Sequence, residues 1–584
     1  MDKGEDDRLS ALSDDILLRI LHLVPSKEAA CTSVLSRRWA SLWRSSGAVD
    51  LAVRVPSYLV DECQEAFSRA AAASLAAAEV PVTRLALRVD TEGGIDTILR
   101  RFIHGGRDEM YSTSTDEGVF RDVLSHPSAR HVEDLRVALV GTFDAMRFSG
   151  MEIYGSIGIC CFASLPSRET LRVLDLTRCD LAPAAFPRLA TLRLRLCSIR
   201  LTDLHALLDA APMLTDVHLE SVLFMYAMQQ HVDPEFESTS TTTAVAMRLP
   251  AVTTLVLALC GVLGQGTPRG QFDTSCAIAI DAPRLRSFVY KGLLRPFQLR
   301  SAAPELARAG LHFLKESANY GKERTRVLFW QSVQSFSGAK ALKLKVDHEL
   351  KEIAAIGKER RAQLLCPLPN VERLELEGWH RPTSTTAAVA IANLLHCCHA
   401  LRDLTLKLST VPPDSQKGSN YAWESLRKDL LDYSRSIDRF RRRSSRISME
   451  DSNNGVRYHD VQDISGMSGE SFACLQRSLR RVSMEFRLDD SSSTCIGLRL
   501  VKFFAENAMA LEEMRIDSGN WRLYEHLNLS VERWIARANP AAEVQCEFSR
   551  VPSVPFDSTT DLGRSTISFT VLPLQRRKRM RCMS

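Results

Sequence analysis

The densest run of side chains able to ligate a metal is His396, Cys397, Cys398 and His399. A tetrahedral ion needs ligands spaced so that they converge; four adjacent residues splay apart, and no C-x-x-C pair stands elsewhere to complete a set. The run sits in ANLLHCCHALRDL, where helical spacing passes into a strand-like block, so it reads as packing. No glycine-rich phosphate loop, G-x-S-x-G elbow or H-E-x-x-H helix is present. Isolated Ser, His and Asp residues do not define a triad without such a frame. No catalytic residue, metal ligand or cofactor site is therefore assigned.

The 15 cysteines suggest a different role. A disulfide framework belongs to short secreted chains, whereas this one has 584 residues and opens on the polar MDKGEDDR, which lacks a signal-peptide apolar core. A reducing compartment is expected. Several cysteines instead end short blocks with the spacing L-x-x-L-x-L. These blocks are Val132, Leu135, Val137; Leu171, Leu174, Leu176, Cys179; Leu189, Leu192, Leu194, Cys197; and Leu214, Val217, Leu219. They continue at Val252, Leu255, Leu257, Cys260; Leu285, Phe288, Tyr290; Val371, Leu374, Leu376; and Leu401, Leu404, Leu406. Their period of roughly 18 to 40 residues fits leucine-rich repeats carrying insertions. In such a repeat the L-x-L pair is a short strand with alternate side chains inward, and the strands stack in parallel. A small apolar thiol fits the tight turn after the strand, so Cys179, Cys197 and Cys260 are read as structural.

Length and composition agree. A chain of 584 residues exceeds one compact core, and its 45% hydrophobic and 25% charged content is globular. A net charge of +5 is mild and argues against a dedicated nucleic-acid binder. No apolar run approaches the roughly 18 residues of a membrane span, so a soluble protein without a membrane partner is expected.

One stretch holds more apolar residues than it can bury alone: RLSALSDDILLRILHLVPSKEAACTSVLSRRWASLWRSSGAVDL, from Arg8 to Leu51. Ser13 is placed to cap a helix, Asp14 and Asp15 lie where the helix dipole favours negative charge, and Pro25 follows the end. Ile16, Leu17, Leu18, Ile20, Leu21, Leu23 and Val24 cover nearly the whole circumference between them. A surface helix needs only one apolar face, so the excess requires a larger fold or a partner protein. Further helix signals follow Ser26 and Ser36, the latter with Trp39, Leu42 and Trp43 at i, i+3, i+4.

LSDDILLRIL, TSVLSRRW and SLW together resemble the plant form of the F-box, over residues from about 9 to 50. The chain departs from the pattern at Ser13, which stands where a proline is usual. The resemblance implies a unit that binds a Skp-type adaptor, and through it cullin and RING subunits of a ubiquitin ligase. The residues it carries into that contact are Leu12, Ser13, Ile16, Leu17, Ile20, Leu21, Val34, Leu35, Trp39 and Trp43. Farther on, VKFFAENAMALEEMRID, a helix-then-strand block, is similar to the FBD-type terminal segment of plant F-box proteins with leucine-rich repeats.

The expected fold class is α/β: a small N-terminal three-helix F-box, then an irregular leucine-rich-repeat solenoid with a parallel sheet on its concave face. The expected divisions are a polar tail at 1–8, the F-box at 9–50, a connecting α/β region at 51–130 and repeats at 131–408. A flexible Arg/Ser-rich linker at 409–470, FBD-like terminal repeats at 471–548 and a basic tail at 549–584 complete the chain. The expected function is that of a non-catalytic substrate receptor of an SCF-type ligase, its repeats binding an unidentified target protein. The alternative is a leucine-rich-repeat scaffold outside any ligase, binding a protein or small ligand. Nucleus or cytoplasm, or both, is the expected location, with QRRKRMR at Gln575 to Arg581 either an import signal or a solvated terminus.

Overall fold

In a computed structural model of the chain, the residues described are 12–92, 95–105, 118–141, 160–162, 165, 168–182, 184–225, 244–263, 277–301, 303–315, 322–381, 386–410, 461–486, 496–517, 523–540, 542–550 and 565–573. Most of the polar segment 105–118, most of the Ser/Thr-rich insertion before Ala244, most of the Arg/Ser-rich stretch and the basic Gln575–Arg581 lie outside them. Contacts divide the chain into two units, Met1–Arg286 with Gln298–Pro304, and Ser287–Phe297 with Glu305–Ser584. The architecture is mixed α/β and is dominated by parallel strands.

In the first unit, helix α1 (Asp14–Leu21) starts at Ser13, whose carbonyl accepts the amides of Ile16 and Leu17, both at 3.1 Å. The Ser13 hydroxyl makes no capping bond, so the backbone supplies the cap that the sequence assigns to the side chain. Helix α2 (Ser26–Cys31) begins directly after Pro25, whose fixed φ suits a helix entrance. A 3-10 turn (Thr32–Val34) and helix α3 (Trp39–Leu42) follow. Leu17, Leu21, Ala29, Trp39 and Leu42 form their common core, with Leu12, Leu18, Val24 and Trp43 packed around it.

Strand β1 (Ala48–Val55) leaves this cluster and pairs in parallel with β2 (Arg84–Thr91), which pairs with β3 (Asp134–Gly141). The Ala-rich run forms helix α4 (Val60–Ala77) between the first two strands. Strands Val173–Thr177, Thr191–Arg195, Asp216–Glu220 and Thr254–Ala258 extend the sheet in parallel. The L-x-L residues are buried on one face: Leu135 and Val137, Leu174 and Leu176, Leu192 and Leu194, Val217 and Leu219, Leu255 and Leu257.

The turn that ends four of these strands repeats. Arg178, Leu196, Ser221 and Leu259, each one residue past a strand, have φ of 60°, 54°, 53° and 56°. That left-handed conformation is costly for a side chain carrying a Cβ, and the surroundings must hold it. Hydrogen bonds between successive turns do so: the amides of Arg178, Leu196 and Ser221 donate to the carbonyls of Arg195, Glu220 and Ala258 at 2.8, 2.9 and 2.7 Å. The next position in each turn is Cys179, Cys197, Val222 or Cys260. The Cys197 thiol donates to the Arg195 carbonyl at 3.1 Å and lies 3.6 Å from the Leu176 carbonyl; Cys260 repeats this with Leu219 and Ala258 at 3.3 and 3.5 Å. Burial pushes the Cys197 thiol up to about 12 and the Cys179 thiol well above its ordinary value. Both are inert packing groups.

In the second unit, strands Ser287–Gly292, Arg308–Phe313, Ala341–Glu349, Arg373–Trp379, Asp403–Ser409, Arg481–Phe486 and Glu513–Asp517 run in parallel in that order. The pattern then reverses: Ser565–Pro573 pairs antiparallel with Glu513–Asp517, and Ala542–Arg550 pairs antiparallel with Ser565–Pro573. A segment assigned from sequence to the basic tail thus contributes a strand to the sheet. Its alternation, with Ile567, Phe569 and Val571 buried, is the signal that was available. Helices Lys322–Gln334, Ala387–Cys397 and Ile496–Asn507 bury Phe329, Leu395 and Phe504.

The histidine-cysteine run ends the helix Ala387–Cys397. Cys397 and Cys398 are buried, while the His396 ring contacts Glu470 through Nε2 at 2.8 Å and lies against Phe472 with centroids 4.7 Å apart. Arg361 donates to both Glu470 oxygens at 3.0 and 2.9 Å, and Lys358 lies 3.1 Å away. This ion cluster ties the chain where it re-enters after the Arg/Ser-rich stretch to two helices of the same unit.

Candidate functional site: an exposed apolar face on the N-terminal helices

Helix α1 carries two aliphatic stripes one residue apart. Leu17, Leu21 and Val24, at i, i+4, i+7, face the core cluster. Ile16, Ile20 and Leu23, on the same spacing, face outward with 45%, 39% and 69% of their surface exposed. On a 3.6-residue helix the two stripes are about 100° apart, which explains the nearly continuous apolar circumference. Val34 and Leu35, at the end of the 3-10 turn, are exposed to 88% and 63%.

The residues expected to meet an adaptor therefore divide. Ser13, Ile16, Ile20, Val34 and Leu35 are exposed, Leu12 and Trp43 are half-buried, and Leu17, Leu21 and Trp39 lie inside the cluster's own core. Leu23 has the same exposed character and was missed, although its place at i+3 from Ile20 marks it. Arg38 was missed as well. Its Nε donates to Asp14 Oδ1 at 2.6 Å and its Nη2 to the Leu12 carbonyl at 2.5 Å, which fastens the start of α1 to the RRW segment.

The opposite side of the helices is joined to the sheet. The Ser26 hydroxyl accepts the Asp50 amide at 2.8 Å, which satisfies an outward donor of the edge strand β1. His22 Nδ1 contacts the Ser46 carbonyl at 2.9 Å, and the buried Arg84 of β2 donates to the His22 carbonyl at 2.7 Å. Asp50 and Asp134 flank that guanidinium at 3.8 and 3.9 Å. Burial pushes the Asp50 carboxyl up, and Arg84 opposes the shift. One side of the N-terminal helices thus seals the sheet's first edge, and the other presents an aliphatic surface to solvent.

Among the described residues, no group of His, Cys, Asp and Glu is arranged to hold a metal, and no helix is long and apolar enough to cross a membrane.

A helical unit that covers a sheet edge and leaves aliphatic stripes exposed offers a surface on which a protein partner could be buried, and the family model for the F-box domain matches residues 9–48. An F-box points in general to substrate recognition in ubiquitin ligation, and such proteins are generally non-catalytic. Among curated proteins, an F-box/FBD/LRR-repeat protein of Arabidopsis thaliana is 60% identical over 37 residues, 6% of this chain and 9% of the relative. A second of the same description and organism is 51% identical over 47 residues, 8% of this chain and 10% of the relative. A third is 31% identical over 147 residues, 24% of this chain and 32% of its own length. The chain thus spans between about a tenth and a third of the length of these relatives. It resembles plant-type F-box/leucine-rich-repeat proteins that carry an FBD segment.

Proposed function

We propose that this chain is the substrate-recognition subunit of an SCF-type cullin-RING ubiquitin ligase. The N-terminal helices act as a three-helix F-box that docks a Skp-type adaptor through Ile16, Ile20, Leu23, Val34 and Leu35. The parallel strands act as an irregular leucine-rich-repeat solenoid that holds the target protein. The single observation that carries this reading is the doubled stripe on α1: one row is spent on the core and the other is left free beside Val34 and Leu35. Burying each exposed aliphatic side chain against a partner stabilises the complex by on the order of 1–2 kcal/mol. Leu12 and Trp43 fill the margin, while Leu17, Leu21 and Trp39 shape the surface from beneath.

The chain's own contribution is proximity. Holding a target close to a charged ubiquitin-conjugating enzyme raises the effective concentration of an acceptor lysine, with the thioester chemistry carried by other subunits. The two antiparallel strands after Glu513–Asp517 support an end-closing role for the FBD-like segment, because they cover an otherwise open parallel edge. The nucleus, the cytoplasm or both are the compartments proposed.

The test is adaptor capture by the full chain, wild type against Ile20→Asp with Leu35→Asp. Wild type is expected to retain a Skp-type adaptor and the double variant to lose it at unchanged melting temperature. Failure of wild type to capture the adaptor leaves the non-ligase scaffold as the reading.

A further inference from the structure

The open face of the second unit's sheet is not uniform. In parallel register, one row reads Lys291, His312, Lys345, Glu377, Lys407, Glu485, Asp517, and the row beside it reads Val289, Gly310, Lys343, Glu375, Thr405, Ser483, Arg515. A third row reads Ser287, Arg308, Ala341, Arg373, Asp403, Arg481, Glu513. The first three strands thus gather Lys291, Arg308, Lys343 and Lys345, with Asp347 held by His312 at 3.0 Å, while the far end carries Glu485, Glu513 and Asp517 beside Arg481 and Arg515.

Pairing varies across the face. Lys343 reaches Glu375 at 3.0 Å, Lys407 reaches the same carboxylate at 2.9 Å, and Lys345 is bridged to Glu377. These bridges hold the Glu375 carboxyl below its usual value against the opposing effect of burial. Lys291 and Arg308 are exposed, and among the described residues neither has an ion-pair partner. Between them in register stand Val289, which is exposed, and Gly310, whose missing side chain leaves the flank of Val289 open: a Cβ there would first meet Val289 Cγ2 at 3.8 Å. Adjacent strands lie about 4.8 Å apart, so these two cations and this aliphatic spot fall within the reach of one short extended segment.

We propose that this face docks an extended acidic protein segment, its carboxylates over Lys291 and Arg308 and an aliphatic side chain on Val289 beside Gly310. The proposal rests on the substrate-receptor reading and names the chemistry of its target. A protein segment is favoured over a nucleic acid by the acidic far end: a polyanion crossing the sheet would meet Glu485, Glu513 and Asp517, whereas a polypeptide can match a gradient with charges of both signs.

The experiment selects displayed random 12-residue peptides on the purified full chain and measures an enriched peptide by fluorescence anisotropy. Enrichment of Asp and Glu around an aliphatic residue is expected. Lys291→Glu with Arg308→Glu should weaken that peptide by about tenfold or more, with a smaller loss in Lys291→Gln with Arg308→Gln. Gly310→Val, at a backbone position outside the left-handed region, should weaken it by filling the recess. Arg515→Glu, at the acidic end, should leave binding within about twofold. Absence of enrichment, enrichment of basic or neutral peptides, undiminished binding by the charge-reversed variant, or equal competition by a 20-residue oligothymidylate would overturn the proposal. Adaptor capture by the same preparations is read separately. Loss of peptide binding with capture intact removes only this inference, and loss of capture with peptide binding intact removes only the ligase reading.

Discussion

Arg38 and Asp14, 24 residues apart, are joined by a hydrogen bond of 2.6 Å, and Arg38 also holds the Leu12 carbonyl. The guanidinium thereby fixes the first turn of α1 relative to the 3-10 turn that carries Val34 and Leu35, so the two parts of the exposed apolar surface share one geometry. Arg38→Ala is expected to lower stability by only about 0.5–1 kcal/mol, because both side chains are partly solvated. Adaptor affinity should fall several-fold, read by calorimetric titration beside a thermal melt. Equal affinity in variant and wild type would remove the orienting role.

Ser13 has φ −67° and ψ 155°, angles that a proline adopts without strain. Ser13→Pro, which restores the usual residue of the F-box pattern, is expected to raise stability by about 0.4–1 kcal/mol by restricting the unfolded chain. It should also strengthen adaptor binding. A fall in melting temperature would show that the Ser13 amide or hydroxyl serves a contact.

If the proposed adaptor surface is correct, the two stripes of α1 separate stability from binding. Leu17→Ala should cost about 2–5 kcal/mol, as a buried leucine does. Ile20→Asp should leave urea midpoints within about 0.5 kcal/mol of wild type and abolish capture. Similar destabilisation by both substitutions would contradict the division of the helix into inner and outer faces.

Glu470 gives a sharp acid signature. Burial alone would push its carboxyl up, but hydrogen bonds from His396, Arg361 and Lys358 outweigh burial and bring it down to about 2. A depressed carboxyl stabilises the fold above its unfolded value near 4.5, and that contribution is lost as pH falls toward 2. Glu470→Gln should cost on the order of 2 kcal/mol at neutral pH and flatten the stability profile between these limits, followed by denaturant melts across pH. An unchanged profile would mean that the cluster does not anchor the returning chain.

The cysteine turns predict a reactivity order. Cys31 is exposed and should react with a thiol reagent at pH 8, whereas Cys197 should be modified only on unfolding. Its raised value also makes stability fall as pH rises from about 9 toward 12, since the unfolded thiol loses its proton first. Leu196→Val, which forces a β-branched residue into the left-handed turn, should destabilise by about 1–2 kcal/mol, while Leu196→Gly should be tolerated.

Local pattern made much of this protein legible. Alternation at Leu192 and Leu194 or Val482 and Met484 sets a strand face because side chains on a strand alternate, and apolar residues seek the buried side whatever the strand's neighbours are. The LSDDILLRIL and TSVLSRRW signals likewise identified the N-terminal unit, since capping and helical spacing are encoded within a few residues. The TSVLSRRW segment alone, however, did not reveal that Arg38 reaches back to Asp14.

Tertiary structure decided what depends on long-range pairing. Which stripe of α1 turns inward follows from the docking of Trp39 and Leu42, a choice between two equally aliphatic rows that periodicity leaves open. The antiparallel insertion of Ser565–Pro573 follows from a sheet edge built far upstream at Glu513–Asp517. The left-handed φ of Arg178, Leu196 and Ser221 is held by carbonyls at the end of the next strand, so residues with no intrinsic preference for that conformation adopt it. Lys291 and Arg308, which have no ion-pair partner among the described residues, became distinguishable from the bridged Lys343 and Lys345 only when register set each beside its neighbours, because ion pairing is a property of distance across strands and not of position along the chain.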